Sequence, residues 1–148
     1  MKASGIVTVW AAAALSSCGA SDPEADIRAL LAAAEEAAEA RDVGFFGGVL
    51  GVGYRDTRGN DRDELLRNLR GYFIANQRIE IVSRIDEIEL QGADAARAVV
   101  HAGMVGRRAG AALIDGVEAD LYRFELELVN AGGDWQIIGA DVRRALGE

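Results

Sequence analysis

Apolar residues recur at helical spacing from Ile27 onward. Ile27, Leu30, Leu31, Ala34 and Ala38 fall on one side, and Arg28, Glu35, Glu36 and Glu39 take the other, which predicts an amphipathic helix of about five turns. Ser21-Asp22-Pro23-Glu24 reads as its start, with Ser21 as cap, Glu24 in the capping-box position and Pro23 tolerated in the first turn. A second, shorter helical piece over Val43 to Leu50 is weakened by Gly44, Gly47, Gly48 and Gly51. Tyr54-Arg55-Asp56 reads as a short strand. After the turn Thr57-Arg58-Gly59-Asn60, Asp61 and Glu64 repeat the capping-box spacing ahead of Leu65, Leu66, Leu69, Tyr72 and Phe73, which predicts a third helix.

From Arg78 the period switches to two. Ile79, Ile81 and Ile85 keep one phase and Ile88 and Leu90 the other, so a β-bulge is expected near Asp86-Glu87 in a long bent strand. Ala95 to Val105, Asp120 to Asn130 and Trp135 to Arg143 read as three more strands, with a longer loop over Arg107 to Ala119. Helices first and antiparallel strands afterwards predict one α+β domain over residues 22–148.

The amino-terminal pattern is different in kind. Met1 and Lys2 give a short positive start, and Ile6 to Leu15 are ten uncharged residues, the n-region and h-region of a secretory signal. As a helix they rise about 15 Å, half of a hydrocarbon core of about 30 Å, so they are too short to span a bilayer. The only cysteine follows at once. Leu15-Ser16-Ser17-Cys18 resembles the lipobox of bacterial lipoproteins, in which an aliphatic and two small residues precede a cysteine that is acylated and becomes the mature terminus. The alternative is an ordinary small-residue cleavage that leaves a free thiol.

The resemblance implies a signal peptide over residues 1–17, a lipidated tether over 18–21 and a domain held against a membrane. Gly19, where the enteric version of the family places aspartate for inner-membrane retention, points to the outer membrane, facing the periplasm. Two or three acyl chains, at about 0.8 kcal/mol per buried CH₂, anchor stably where one alone would be marginal.

Lys2 is the one lysine, so cleavage before Cys18 leaves fifteen arginines against twenty-four acidic residues, a net charge of −9. A chain so acidic, with no basic run beyond Arg107-Arg108 and Arg143-Arg144, is not expected to bind nucleic acid. One histidine and no second cysteine argue against a His- or Cys-based metal cluster, and no motif asks for a cofactor.

The order of elements, with Ile27-Arg28-Ala29-Leu30-Leu31 and Glu39-Ala40-Arg41-Asp42 in the first helix and Gly133-Asp134-Trp135-Gln136-Ile137-Ile138 at the close, resembles the nuclear transport factor two-like superfamily. That superfamily shares its cone-shaped roll with ketosteroid isomerase and polyketide cyclases. The resemblance implies N-terminal helices packed on a curved antiparallel sheet, with a pocket at the open end of the cone.

Strand alternation then selects candidate residues. Tyr122 and Phe124 with Trp135 and Ile137 are expected to line the pocket, while Val99, His101 and Val105 face outward as a candidate dimer face. His101 is expected away from the pocket, although its side chain is otherwise the obvious general base. In straight alternation Asp141 shares the face of Trp135. Enzymes of the resembled superfamily often pair a pocket carboxylate with tyrosine donors, which would cast Asp141 as base with Tyr54 or Tyr72. The competing reading pairs Asp141 with Arg143 or Arg144 and leaves the tyrosines capping the core.

Two functions follow: a non-catalytic envelope lipoprotein that binds a small apolar ligand or an envelope protein, or a periplasmic isomerase, cyclase or dehydratase. In the parent organism, wild-type protein is expected to take up labelled fatty acid and fractionate with membranes. Cys18→Ala is expected to do neither, and persistence of both would contradict lipidation.

Overall fold

The computed structural model describes residues 22–108 and 120–145. Cys18, the tether and all of the expected Arg107–Ala119 loop except Arg107 and Arg108, which belong to a strand, lie outside them. Three helices precede most of a five-stranded sheet: α1 (Pro23–Glu39), α2 (Val43–Val49), β1 (Leu50–Asp56), α3 (Arg62–Ala75), β2 (Asn76–Leu90), β3 (Ala95–Arg108), β4 (Asp120–Ala131) and β5 (Asp134–Arg144).

The helix starts are set by aspartates. The Asp22 side chain caps α1 by accepting from Glu24 N and Ala25 N, so the cap is Asp22 rather than Ser21, which lies outside the described residues. Asp42 caps α2 in the same way. Asp61 and Glu64 form the expected reciprocal capping box at α3. The α2 piece ends one residue earlier than its pattern suggested, because Leu50 already belongs to β1.

The strand order is β1-β5-β4-β3-β2. β2 to β5 form an antiparallel meander, but β1 pairs parallel to β5, so the sheet is mixed rather than wholly antiparallel. No hairpin joins the first strand to the last, so turn geometry does not dictate their relative direction.

The inner face of the sheet holds the core. Ala96, Ala98 and Val100 of β3, Leu126 and Leu128 of β4, and Trp135, Ile137 and Ala140 of β5 are buried with Ile27 of α1 and Leu50 and Tyr54 of β1. Leu30, Leu31, Phe46, Leu65 and Leu66 pack onto them from the helices. A second cluster gathers Ala38, Phe73 and Ile79 where α1 and α3 meet β2.

Of the register shifts in this sheet, two decide which side chains face the core. In β2 the register passes from Ile85↔Val100 to Glu87↔Val99, leaving Asp86 without a partner across the ladder, where the sequence placed a bulge. In β5 it passes from Leu128↔Ile137 to Glu127↔Gly139, so Ile138 is the extra residue. That second bulge was not anticipated. β1 accommodates it with a glycine: a Cβ on Gly51 would lie 2.9 Å from Ile138 Cγ2, inside van der Waals contact.

Candidate functional site

The β5 bulge decides where Asp141 goes. Beyond Ile138 the alternation is reversed, so Ala140 pairs with Leu126 and Val142 with Phe124 on the inner face, while Asp141 pairs with Glu125 on the outer one. Asp141 therefore does not share the face of Trp135, which corrects the expectation from straight alternation. Its carboxylate accepts from Arg143 Nε at 2.9 Å and from Thr57 Oγ1 at 3.0 Å. The hydrogen bond from Arg143, more than that from Thr57, holds its pKa below the ordinary 3.8. A carboxylate so held is a poor base at neutral pH.

The rest of the outer face follows the same pattern of charges paired along and across strands. Arg97 and Arg123 both bond Glu125 and hold its carboxyl below its usual range, Arg123 more strongly. Arg84 Nε and His101 Nδ1 approach the two oxygens of Asp86 at 2.8 and 2.7 Å. His101 thus lies on the outer face beside the bulged Asp86, away from the apolar interior. Val99 and Val105 share that face by register. Val99 is already buried within the single chain, while Val105 is half-buried.

Inside, Trp135 and Ile137 are buried in the core, Phe124 packs against it and Tyr122 is half-buried. The Trp135 indole Nε1 is buried with no hydrogen-bond partner among the described residues. Tyr54 is also a core residue, only 3% exposed. Burial, followed by the nearby Asp56 carboxylate, pushes its hydroxyl far above the ordinary tyrosine value, so it stays protonated as a donor.

A polar group collects at the end of the sheet where β3 stops and β4 starts. Burial, then neighbouring Tyr122 and Asp120, raises the Tyr72 hydroxyl above its ordinary value. Tyr122 donates to Asp120 Oδ2 at 3.3 Å, and Arg144 Nη2 lies 3.4 Å from Asp120 Oδ1. The buried Asn76 donates from Nδ2 to the Tyr72 carbonyl at 2.8 Å. Gly106 makes the space: a Cβ there would meet the Tyr72 hydroxyl and Asn76 Oδ1, each at 2.6 Å.

Of the residues singled out from sequence, Tyr72 and Tyr122 are brought together. Tyr54 sits in the core, and Asp141 is on the other side of the sheet. Asn76, Gly106 and Asp120 were missed. The signal for Asn76 was a lone polar residue at the junction between the α3 pattern and the β2 pattern. Nothing in the sequence tied Asp120 to Tyr72, since their meeting depends on strand register. This end presents two phenol hydroxyls and an ion-paired carboxylate beside the Phe73 and Phe124 rings, with ring centroids 6.3 Å from Tyr72 to Phe73 and 6.0 Å from Tyr122 to Phe124. Such a group can orient the polar end of a mostly apolar molecule. Among the described residues no three His, Cys, Asp or Glu side chains are grouped to hold a metal ion.

No protein-family model matches the sequence, and no curated protein matches it. Solved structures do match the fold. A protein of Novosphingobium aromaticivorans, provisionally named a scytalone dehydratase, superposes with a TM-score of 0.75 at 11% identity over 83% of this chain and 84% of its own. A ketosteroid isomerase-like protein of Erwinia carotovora atroseptica gives 0.64 at 16% identity over 83% and 96%. An NTF-2-like protein of unknown function from Silicibacter pomeroyi gives 0.61 at 16% identity over 82% and 94%. At these identities the likeness is one of fold: the chain has the α+β, cone-shaped architecture of the nuclear transport factor two-like proteins.

The Asp141 ion pair has a defined pH signature. Its folded pKa is depressed, so its contribution to stability is fully present above 3.8 and is lost as pH falls through the lower folded value. The stability difference between wild type and Asp141→Asn, read as a shift in denaturation midpoint, is expected to be constant from about pH 7 to about pH 5 and to shrink below about pH 4. A difference that does not change down to about pH 2.5 would contradict this placement.

Proposed function

We infer that this chain is a non-catalytic binding protein of the bacterial envelope, tethered by acyl chains on Cys18, whose cone receives a small, mostly apolar ligand. The observation that carries this reading is the outward turn of Asp141 onto Arg143 and Thr57, which takes the candidate base out of the interior, while Asp120, on the inner face by register, is occupied by Tyr122 and Arg144. Two further features favour a ligand over a merely filled core. The Trp135 indole N–H is buried without a partner, and a buried donor left unmade costs about 1–3 kcal/mol that a ligand acceptor would recover. At the opposite end of β4, where Tyr122 pairs with Arg144 while Trp135 pairs with Asn130, the Tyr72 hydroxyl offers a donor to a polar group, Tyr122 being bonded to Asp120.

Cleavage before Cys18 would remove Trp10 and leave Trp135 as the sole tryptophan, a built-in reporter. Processed protein is to be titrated calorimetrically with a panel of small carbonyl-bearing apolar compounds, with Trp135 emission showing whether a bound compound reaches that end of the sheet, while the same mixtures are assayed for chemical change by mass spectrometry. The expected result is saturable binding of at least one compound, weakened about tenfold in Tyr72→Phe, with every compound recovered unchanged. Turnover that is lost in Asp120→Asn would overturn the reading in favour of an enzyme, and no binding across the panel would also overturn it.

A further inference from the structure

The corner where α1 meets α2 carries a feature that neither the outer-face ion pairs nor the Tyr72–Tyr122 group uses. α1 closes in a Schellman motif, with Asp42 N donating to Ala37 O at 2.8 Å and Arg41 N to Ala38 O at 3.1 Å. The residue at the left-handed position of this motif is Arg41, at φ 58°. Glycine is the usual occupant, because any Cβ is strained there. The chain keeps a side chain at a position where its own stability would favour none.

That side chain borders a hollow. Arg41 and Arg70, on α3, flank a surface depression of about 280 Å³ whose apolar lining comes from Ala40, Val43, Phe73 and Ile74. Neither guanidinium makes an ion pair or hydrogen bond with the described residues, although acids outnumber bases in the sequence. Arg28, Arg84, Arg97, Arg123 and Arg143 all have carboxylate partners. Ile74 leaves 78% of its surface in water at the same place. Two cations without a partner among the described residues, beside an apolar floor, are complementary to an amphiphile with an anionic head.

We propose that this hollow is a binding site for a medium-chain fatty acid, with the Arg41 and Arg70 guanidinium groups on its carboxylate and its chain laid over Val43, Phe73 and Ile74. The volume of about 280 Å³ lies just below the roughly 300–1,000 Å³ of drug-sized sites, which suits a single short chain. The planar donor fork of arginine matches the two carboxylate oxygens. The hollow shares the Phe73 ring with the Tyr72–Tyr122 end but none of that end's polar groups, and it stands or falls without the reading above.

The test uses the full 148-residue chain, made in a cytosol so that Cys18 is not acylated, and isothermal titration with decanoate, decanol, acetate and decyl phosphate. Decanoate is expected to bind, with decanol and acetate at least about tenfold weaker because each lacks one half of the recognition. Arg41→Gly and Arg70→Gln are each expected to lose about tenfold in decanoate affinity, while Arg58→Gln binds as wild type. Arg41→Gly is also expected to melt no lower than wild type, since it relieves the strained position. Decanoate no tighter than decanol, or undiminished binding in both hollow variants, would overturn the proposal. Decyl phosphate bound more tightly than decanoate would overturn the choice of a fatty acid and assign the hollow to a phosphate headgroup.

Discussion

The single extra residue in β5 governs what the inside of this protein can be. If alternation ran straight through Ile138, Asp141 and Arg143 would point at the inner face and Ala140 and Val142 at solvent. Burying that carboxylate without full hydrogen bonding would cost several kcal/mol. The bulge exchanges the two sets, so Ala140 and Val142 join Leu126 and Phe124 on the inside and the charges move out. Gly51 of β1 leaves room for the Ile138 side chain beside it, so the bulge depends on a neighbouring strand as well as on its own sequence. β2 uses the same device at Asp86, keeping Ile85 and Ile88 on the core side while Asp86 meets His101 and Arg84.

The two faces of the sheet consequently have different chemistry. The inner one is alanine, valine, leucine and aromatic, interrupted at the β3–β4 end by the tyrosine, asparagine and aspartate group and by the lone Trp135 indole N–H. The outer one is a mesh of short-range pairs centred on Glu125, Asp86 and Asp141. Exposed pairs of this kind contribute little each, so the fold rests on the apolar packing of the inner face against the helices. The mesh keeps charges off the core more than it adds stability.

Much of this was legible in the sequence because local physics set it. The Asp61-Glu64 capping box, the apolar stripe of α1 and the phase change at Asp86 each follow from periods and side-chain chemistry over a few residues. The inward set Ala96, Ala98, Val100 and Leu126, Leu128 followed from strict alternation. The parallel pairing of β1 with β5 was not legible, since nothing local joins those strands. The β5 bulge had a signal that was overlooked: Ile137-Ile138-Gly139-Ala140 breaks alternation as Ile85 to Ile88 does, with Val142 continuing the new phase. The meeting of Tyr72, Asn76, Gly106 and Asp120 arises from register between distant segments, which no single stretch encodes.

The central claim is that β5 reverses its facing between Ile137 and Ala140, leaving the interior without the Asp141 carboxylate. Single cysteines at Asp141→Cys and Val142→Cys, each in a Cys18→Ala background, report it directly through their rates of reaction with a water-soluble thiol reagent in the native state. The structure predicts fast labelling at position 141 and slow labelling at 142, because Val142 packs against the core. The opposite order would put position 141 inside, contradict the bulge and return a carboxylate to the cone.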